Sequence, residues 1–108
     1  MECTTQEHDK YVIIALSGDV DMQYSPTARS HILKSLGDRK NVLVDMSGVS
    51  YIDSSGIASL VEGLQLARSS QLEFGLVGVS DAALQVLQLA RLDRVFKIKP
   101  TIDDFIEK

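Results

Sequence analysis

A single cysteine, Cys3, stands among 108 residues, so no internal disulfide and no cysteine-based metal site can form. A reducing compartment suits such a chain. Lys and Arg number 11 against 15 Asp and Glu, a net charge of -4, and no basic cluster occurs. Nucleic acid is therefore not an expected partner, because holding a phosphate backbone needs a Lys/Arg patch. No apolar run approaches the ~20 residues that span a bilayer. The N-terminus has no basic segment leading into an apolar one, as a secretory leader would. The expectation is a cytoplasmic chain with no membrane partner. The glycine loops G-x-x-x-x-G-K-[ST] and G-x-G-x-x-G are missing, as is the G-x-S-x-G elbow of serine hydrolases. Neither His8 nor His31 is placed by the sequence beside a nucleophile. No catalysis, no cofactor and no metal are expected.

What is present suffices for one modest core, since 44% of the residues are hydrophobic, and one domain over 1–108 is the natural count. Cys3 to Glu7 reads as a weak strand and His8-Asp9-Lys10 as a turn. Tyr11 to Ser17 is a strong strand whose nearly continuous apolar run predicts burial on both faces. Gly18 is expected to end it, with Asp19-Val20-Asp21 forming the next loop. Two carboxylates alone make a poor divalent-cation site. Ser25-Pro26 opens a helix, with Ser at N-cap and Pro at N1. Its stripe is Ala28, Ile32, Leu33 and Leu36, and Gly37 ends it. Val42 to Met46 is the central strand and Leu72 to Val79 the next. Ser80-Asp81 starts a helix in which six of the eight residues Ala83 to Ala90 are apolar. Such a helix is either deeply buried or offers a face to a partner. Val95 to Ile98 is a short last strand. Pro100-Thr101 starts a final helix, with Asp104 closing a capping box and Phe105 and Ile106 docking. The order β-β-α-β-α-β-α-β-α predicts an α/β fold: a small mixed sheet, largely parallel, with connecting helices.

The most informative stretch runs from Val42 to Leu66. After the central strand come Asp45-Met46-Ser47, then Tyr51-Ile52, then Asp53-Ser54-Ser55-Gly56 and an amphipathic helix. A helix start carries unpaired N–H groups and the positive end of the macrodipole, so it stabilises anions, phosphate included. Asp53 and Ser54 are both suitable N-caps, and the sequence does not choose between them. Ile57, Leu60, Val61 and Leu64 recur at helical spacing and predict the buried stripe. Ser55, Ser59, Glu62 and Leu66 fall on the opposite face. That face is expected to be exposed and to form the main contact surface, with the apolar helix Ala83 to Ala90 as its rival.

A two-component receiver domain shares two features, Asp45-Met46 after a central strand and Lys99-Pro100 after the last. It also needs a complete helix-strand-helix before the phospho-acceptor strand. Only one helix fits between Asp21 and Val42, so one β-α unit is missing.

In combination the motifs resemble STAS domains, in the branch of bacterial anti-sigma-factor antagonists. Asp45-Met46-Ser47, Tyr51-Ile52 and Asp53-Ser54-Ser55-Gly56-Ile57 match that signature. Ser17-Gly18-Asp19-Val20-Asp21 matches an upstream loop, and Leu89 to Phe96 resembles the segment before the last strand. The resemblance implies a STAS-like fold and a phosphorylation-switched binding protein rather than an enzyme. It implies a protein partner of the GHKL-type serine kinase or anti-sigma class, and a PP2C-type phosphatase that resets the switch. It places the phosphate on Ser54, with Ser55 as the alternative. The implied partner-binding set is Asp19, Asp21, Asp53, Ser54, Ser55, Gly56 and Ile57, continued along the helix by Ser59, Glu62 and Leu66. The alternative within the same fold is an accessory subunit of an ABC phospholipid transporter without such a switch. Those subunits usually carry another residue in place of Ser54, so the intact motif favours the switch.

Overall fold

A hairpin begins the sheet. In the computed structural model, which describes residues 1–106, β1 (Glu2–His8) and β2 (Tyr11–Val20) pair antiparallel. Asp9-Lys10 forms the turn between them, and Asp9 takes φ 60. The chain continues through α1 (Ser25–Gly37), β3 (Asn41–Ile52), α2 (Ser54–Ser69), β4 (Phe74–Val77), α3 (Asp81–Leu89), β5 (Lys97–Lys99) and α4 (Ile102–Ile106). The five strands lie in the order β1-β2-β3-β4-β5, and every pair after the first is parallel. This is the expected α/β architecture, with a small, largely parallel mixed sheet.

The strand order determines where the helices go. Each crossover between parallel strands steps the same way, and right-handed crossovers then place α1, α2 and α3 on one face. Val12, Ile14 and Leu16 of β2 and Val42, Val44 and Met46 of β3 join the core beneath those helices. The alternate residues Tyr11, Ile13 and Leu43 point the other way and are buried with Phe105 of α4. Burial on both faces explains why β2 and β3 show no alternation in sequence.

Several expected boundaries move. Gly18, at φ 81, does not end β2. The strand bulges there and continues, so Asp19 lies in the strand rather than in a loop. β3 likewise runs on to Ile52 instead of leaving the sheet after Met46. The physical reason is mutual: the extended β2 supplies backbone partners as far as the Val20–Ile52 pair, and the register shifts absorb the irregularity. Ser25 is buried and is not the N-cap of α1; Tyr24 takes that position without a side-chain bond. Asp21 steadies the preceding turn instead, accepting from the N–H groups of Gln23 at 3.0 Å and Tyr24 at 3.3 Å. β5 begins at Lys97, leaving Val95 exposed ahead of it. In α3, capped by Ser80 as expected, only Ala83 and Leu87 are buried, and Leu89 is exposed. α3 is therefore not deeply buried. At α4 the N–H of Asp104 donates to Thr101 Oγ1 at 3.1 Å, one arm of the expected capping box.

Candidate functional site

The last paired residues of β2 and β3, Val20 and Ile52, bring two chain segments to one corner of the sheet. Asp53 leaves the sheet there, its N–H donating to Val20 O at 3.2 Å. Its backbone stays extended, at φ -104 and ψ -173, and its side chain caps α2. Oδ1 accepts from the N–H of Ser55 at 2.9 Å, the N–H of Gly56 at 3.1 Å and Ser55 Oγ at 2.6 Å. Oδ2 accepts from the N–H of Met22 at 3.1 Å, in the segment between β2 and α1. One carboxylate thus ties the first turn of α2 to the neighbouring loop. The Ser55 hydroxyl holds the Asp53 carboxyl below its ordinary pKa, burial opposes this, and the backbone N–H groups add to the lowering. The cap is ionised at neutral pH.

Each motif residue has a separate task. Ser54 is exposed at the first helical position, outside the set of donors that Asp53 gathers. Ser55 is half-buried and its hydroxyl is committed to Asp53. Gly56 is buried where α2 presses on the sheet. A Cβ there would lie 2.6 Å from Ile52 Cγ1 and 2.9 Å from Val20 O, and that carbonyl cannot swing aside. Ile57 is buried in the main core. Asp19 is exposed and pairs in register with Tyr51, whereas Asp21 is half-buried and turned to its own loop. The structure therefore gathers Asp19, Asp21 and Asp53 to Ile57 at one corner, and of these Asp19 and Ser54 are the exposed ones.

The expected outward face of α2 is corrected. Ser59 is only 5% exposed, and its hydroxyl donates to Ser55 O at 3.1 Å. One turn on, a Cβ on Gly63 would come within 2.7 Å of Ile32 Cγ2 on α1. Glu62 takes both Nε and Nη2 of Arg29 on α1, each at 2.7 Å. Leu66 is half-buried and packs on the main core. This flank therefore lies towards α1, with only the Arg29–Glu62 pair partly open to solvent at its rim. Ser59 and Gly63 are small, and that is what lets a helix close on them. Residue-type patterning counts a serine as polar and misses this. The face left to solvent carries Ser54, Ala58 and Gln65. Two further exposed side chains flank the corner: Met22, 77% exposed, and Tyr51, 52% exposed. Tyr51 lay inside the recognised motif, but its exposure depends on the bulged register. Nothing in the sequence marked Met22.

The division of labour predicts a pH-dependent contrast. Asp53→Ala is expected to lower the thermal midpoint clearly at neutral pH, and Ser54→Ala hardly at all. Folding lowers the Asp53 pKa from its ordinary 3.8. On acidification the unfolded state binds the proton first, so stability is lost as pH falls from that value through the lower folded-state one. The gap between Asp53→Asn and the parent should narrow over the same range in calorimetric scans. A gap that is constant down to pH ~2 would contradict an ionised cap.

With fold and site in view, comparison gives the family. The family model of the STAS domain matches residues 2–105, and the chain belongs to that family. It is 28% identical over 99 residues to the anti-sigma-B factor antagonist of Staphylococcus aureus, covering 91% of this chain and 82% of the relative. A Thermotoga maritima crystal structure superposes with a TM-score of 0.87 at 26% identity, covering 97% of this chain and 92% of that one. An anti-sigma factor antagonist from Mycobacterium paratuberculosis superposes at 0.83, with 26% identity and coverage of 95% and 88%. Among the described residues no helix is long and apolar enough to cross a membrane.

Proposed function

We propose that this chain is an anti-sigma-factor antagonist, acting in the cytoplasm, whose docking is switched off by phosphorylation of Ser54. The observation that carries the proposal is the split between the motif serines. Ser55 is tied to Asp53 at 2.6 Å, whereas Ser54 is exposed at the first position of α2. A kinase can reach Ser54 without breaking the cap; at Ser55 it would have to displace the cap's shortest bond. The relatives' description as anti-sigma factor antagonists supports the same reading.

The partner is a protein of the anti-sigma class with GHKL-type serine kinase activity. It docks on the corner formed by Asp19, Met22, Tyr51 and Ser54, and along Ala58 of α2. The kinase moves the γ-phosphoryl group of ATP to Ser54 Oγ, releasing ADP and the hydroxyl proton. The new group carries about -1.5 to -2 charges at neutral pH. It stands next to the ionised Asp53 and near Asp19, so repulsion and desolvation oppose docking. Within the domain the α2 N-terminus offsets part of this charge, by about 0.3–1 kcal/mol at an exposed position. A PP2C-type phosphatase restores the hydroxyl. The chain has no chemistry of its own in this scheme: it is the kinase's substrate and the competitor for its other partner.

Incubation with such a kinase and ATP, followed by peptide mass spectrometry, should place the phosphate on Ser54. Ser54→Ala should abolish incorporation and Ser55→Ala should retain it. Phosphate on Ser55 alone would overturn the assignment.

A further inference from the structure

Both edges of the sheet are strands, and they are built differently. β5 is three residues long and carries Lys97 and Lys99. A short edge bearing lysine is a common protection against pairing with another chain. β1 has seven residues, Glu2–His8, of which all but Cys3 are exposed. It contains no proline, no lysine and no register shift against β2. On its helix-covered face, His31 Nδ1 of α1 lies 3.4 Å from Thr5 Oγ1 and Lys40, beyond α1, reaches Glu7 Oε1 at 3.9 Å, while the outward backbone groups of the strand stay uncovered. On the other face Gln6 and His8 border a hollow shared with Ile13 and with Thr101 and Ile102 beside and in α4.

The hairpin indicates which backbone groups are free. A two-residue turn closes on a hydrogen-bonded pair, here His8 with Tyr11, and such pairs alternate along an antiparallel ladder. Glu2, Thr4, Gln6 and His8 direct their N–H and C=O groups to β2. Cys3, Thr5 and Glu7 direct theirs outward, past the edge of the sheet, where no strand lies among the described residues.

We propose that two copies of the chain pair antiparallel along β1, about a two-fold axis at Thr5. The sequence of this edge is complementary to itself in that register. Glu2 of one copy meets His8 of the other, so an imidazole N–H faces a carboxylate at each end. Thr4 meets Gln6, Thr5 meets Thr5, and Cys3 meets Glu7. No like charges meet. Moving the axis to Glu7 sets Glu7 against Glu7, which is unfavourable directly across a strand pair. Moving it to Cys3 shortens the overlap. The outward groups of Cys3, Thr5 and Glu7 supply about six hydrogen bonds between the copies. A contact between two edge strands falls under the ~1,200 Å² of standard interfaces, so the dimer is weak and reversible. The pairing leaves the Asp53 corner free. It sends the two corners to opposite ends of one continuous sheet, so a dimer presents two docking sites. The inference does not depend on the phosphorylation reading.

Sedimentation of the full chain from micromolar to millimolar concentration should show a mass rising from monomer towards dimer. Hydrogen exchange at the Thr5 and Glu7 amides should slow over the same range. Thr5→Pro, which removes an outward N–H and none that β2 uses, should remain folded and monomeric. Glu2→Lys should weaken association roughly tenfold, because both end pairs are reversed at once. Glu2→Lys combined with His8→Glu should return it to within roughly threefold of the parent. This charge exchange decides the matter even if Thr5→Pro fails to fold. A monomer at every concentration, or a dimer that ignores these edge changes, overturns the proposal.

Discussion

Phosphorylated on Ser54, the chain is expected to lose more than a hundredfold in affinity for its anti-sigma partner while keeping its fold. A hundredfold corresponds to ~3 kcal/mol. A dianionic group placed beside an ionised carboxylate in a contact that excludes water can supply that much. The fold survives because the phosphate sits at the first position of α2, where the helix dipole favours an anion. It also leaves the Asp53 bonds to Ser55, Gly56 and Met22 in place. Titration calorimetry on the enzymatically phosphorylated and unmodified chains measures the loss, and circular dichroism checks the fold. Ser54→Ala should bind like the parent, since Ser54 is not the cap. Ser54→Asp should bind more weakly, though less so than the phosphorylated form, because it carries less charge. Equal binding by phosphorylated and unmodified chains would rule out the charge switch. A phosphorylated chain that unfolds would make the loss a structural one.

Ser59→Arg is expected to unfold the domain or come close to it, with a loss of at least ~3 kcal/mol, because it forces a charged side chain into a packed site. Ser59 is 5% exposed, and one turn on Gly63 closes against Ile32 of α1. Ser59→Ala, which gives up only the bond to Ser55 O, should lose about 0.5–1.5 kcal/mol. Ala58→Arg, one residue away and exposed, should shift stability by under about 0.5 kcal/mol. It should nonetheless weaken partner binding by more than roughly tenfold, because it adds bulk and charge to the docking face. Thermal melts and calorimetry on these three variants locate the interface on α2. If Ser59→Arg melts like the parent, the packing described for this flank is wrong. If Ala58→Arg binds like the parent, docking lies off the exposed face of α2, and the apolar outer side of α3 around Leu89 becomes the next surface to test.

Much of this was legible from residue order alone. The alternation of apolar runs and helical stripes gave the element sequence. With the right-handed crossover rule, that sequence limits the topology to a largely parallel sheet. The helix start at Asp53 to Gly56 could be located because cap residues just before a helical stripe are local chemistry, whereas its candidate role rested on the resemblance to the STAS signature. So could the Ser80 cap and the Thr101 start of α4. These features depend on neighbours within four residues, and a sequence records such neighbours directly.

The tertiary structure decided what depends on distant backbone. Asp53, which caps α2 through Oδ1, is tied by its second oxygen to Met22, brought over from the β2–α1 segment. Gly56 is required because Val20 O lies against it, a contact that exists only when β2 has run past Gly18 to pair with Ile52. The exposure of Tyr51 follows from the same bulges, and that of Met22 from the course of the loop. The outer face of α2 was misplaced because helical periodicity identifies one buried side, towards the sheet. A second side, packed on α1, is created by small residues such as Ser59 and Gly63 that no hydrophobic pattern marks. The sequence alone therefore placed the candidate switch residues at a helix start through local cap chemistry, and their proposed role came from the resemblance to the STAS signature. Only the packing of α2 between sheet and α1 decided which of them reach solvent, because exposure is set by neighbours far along the chain.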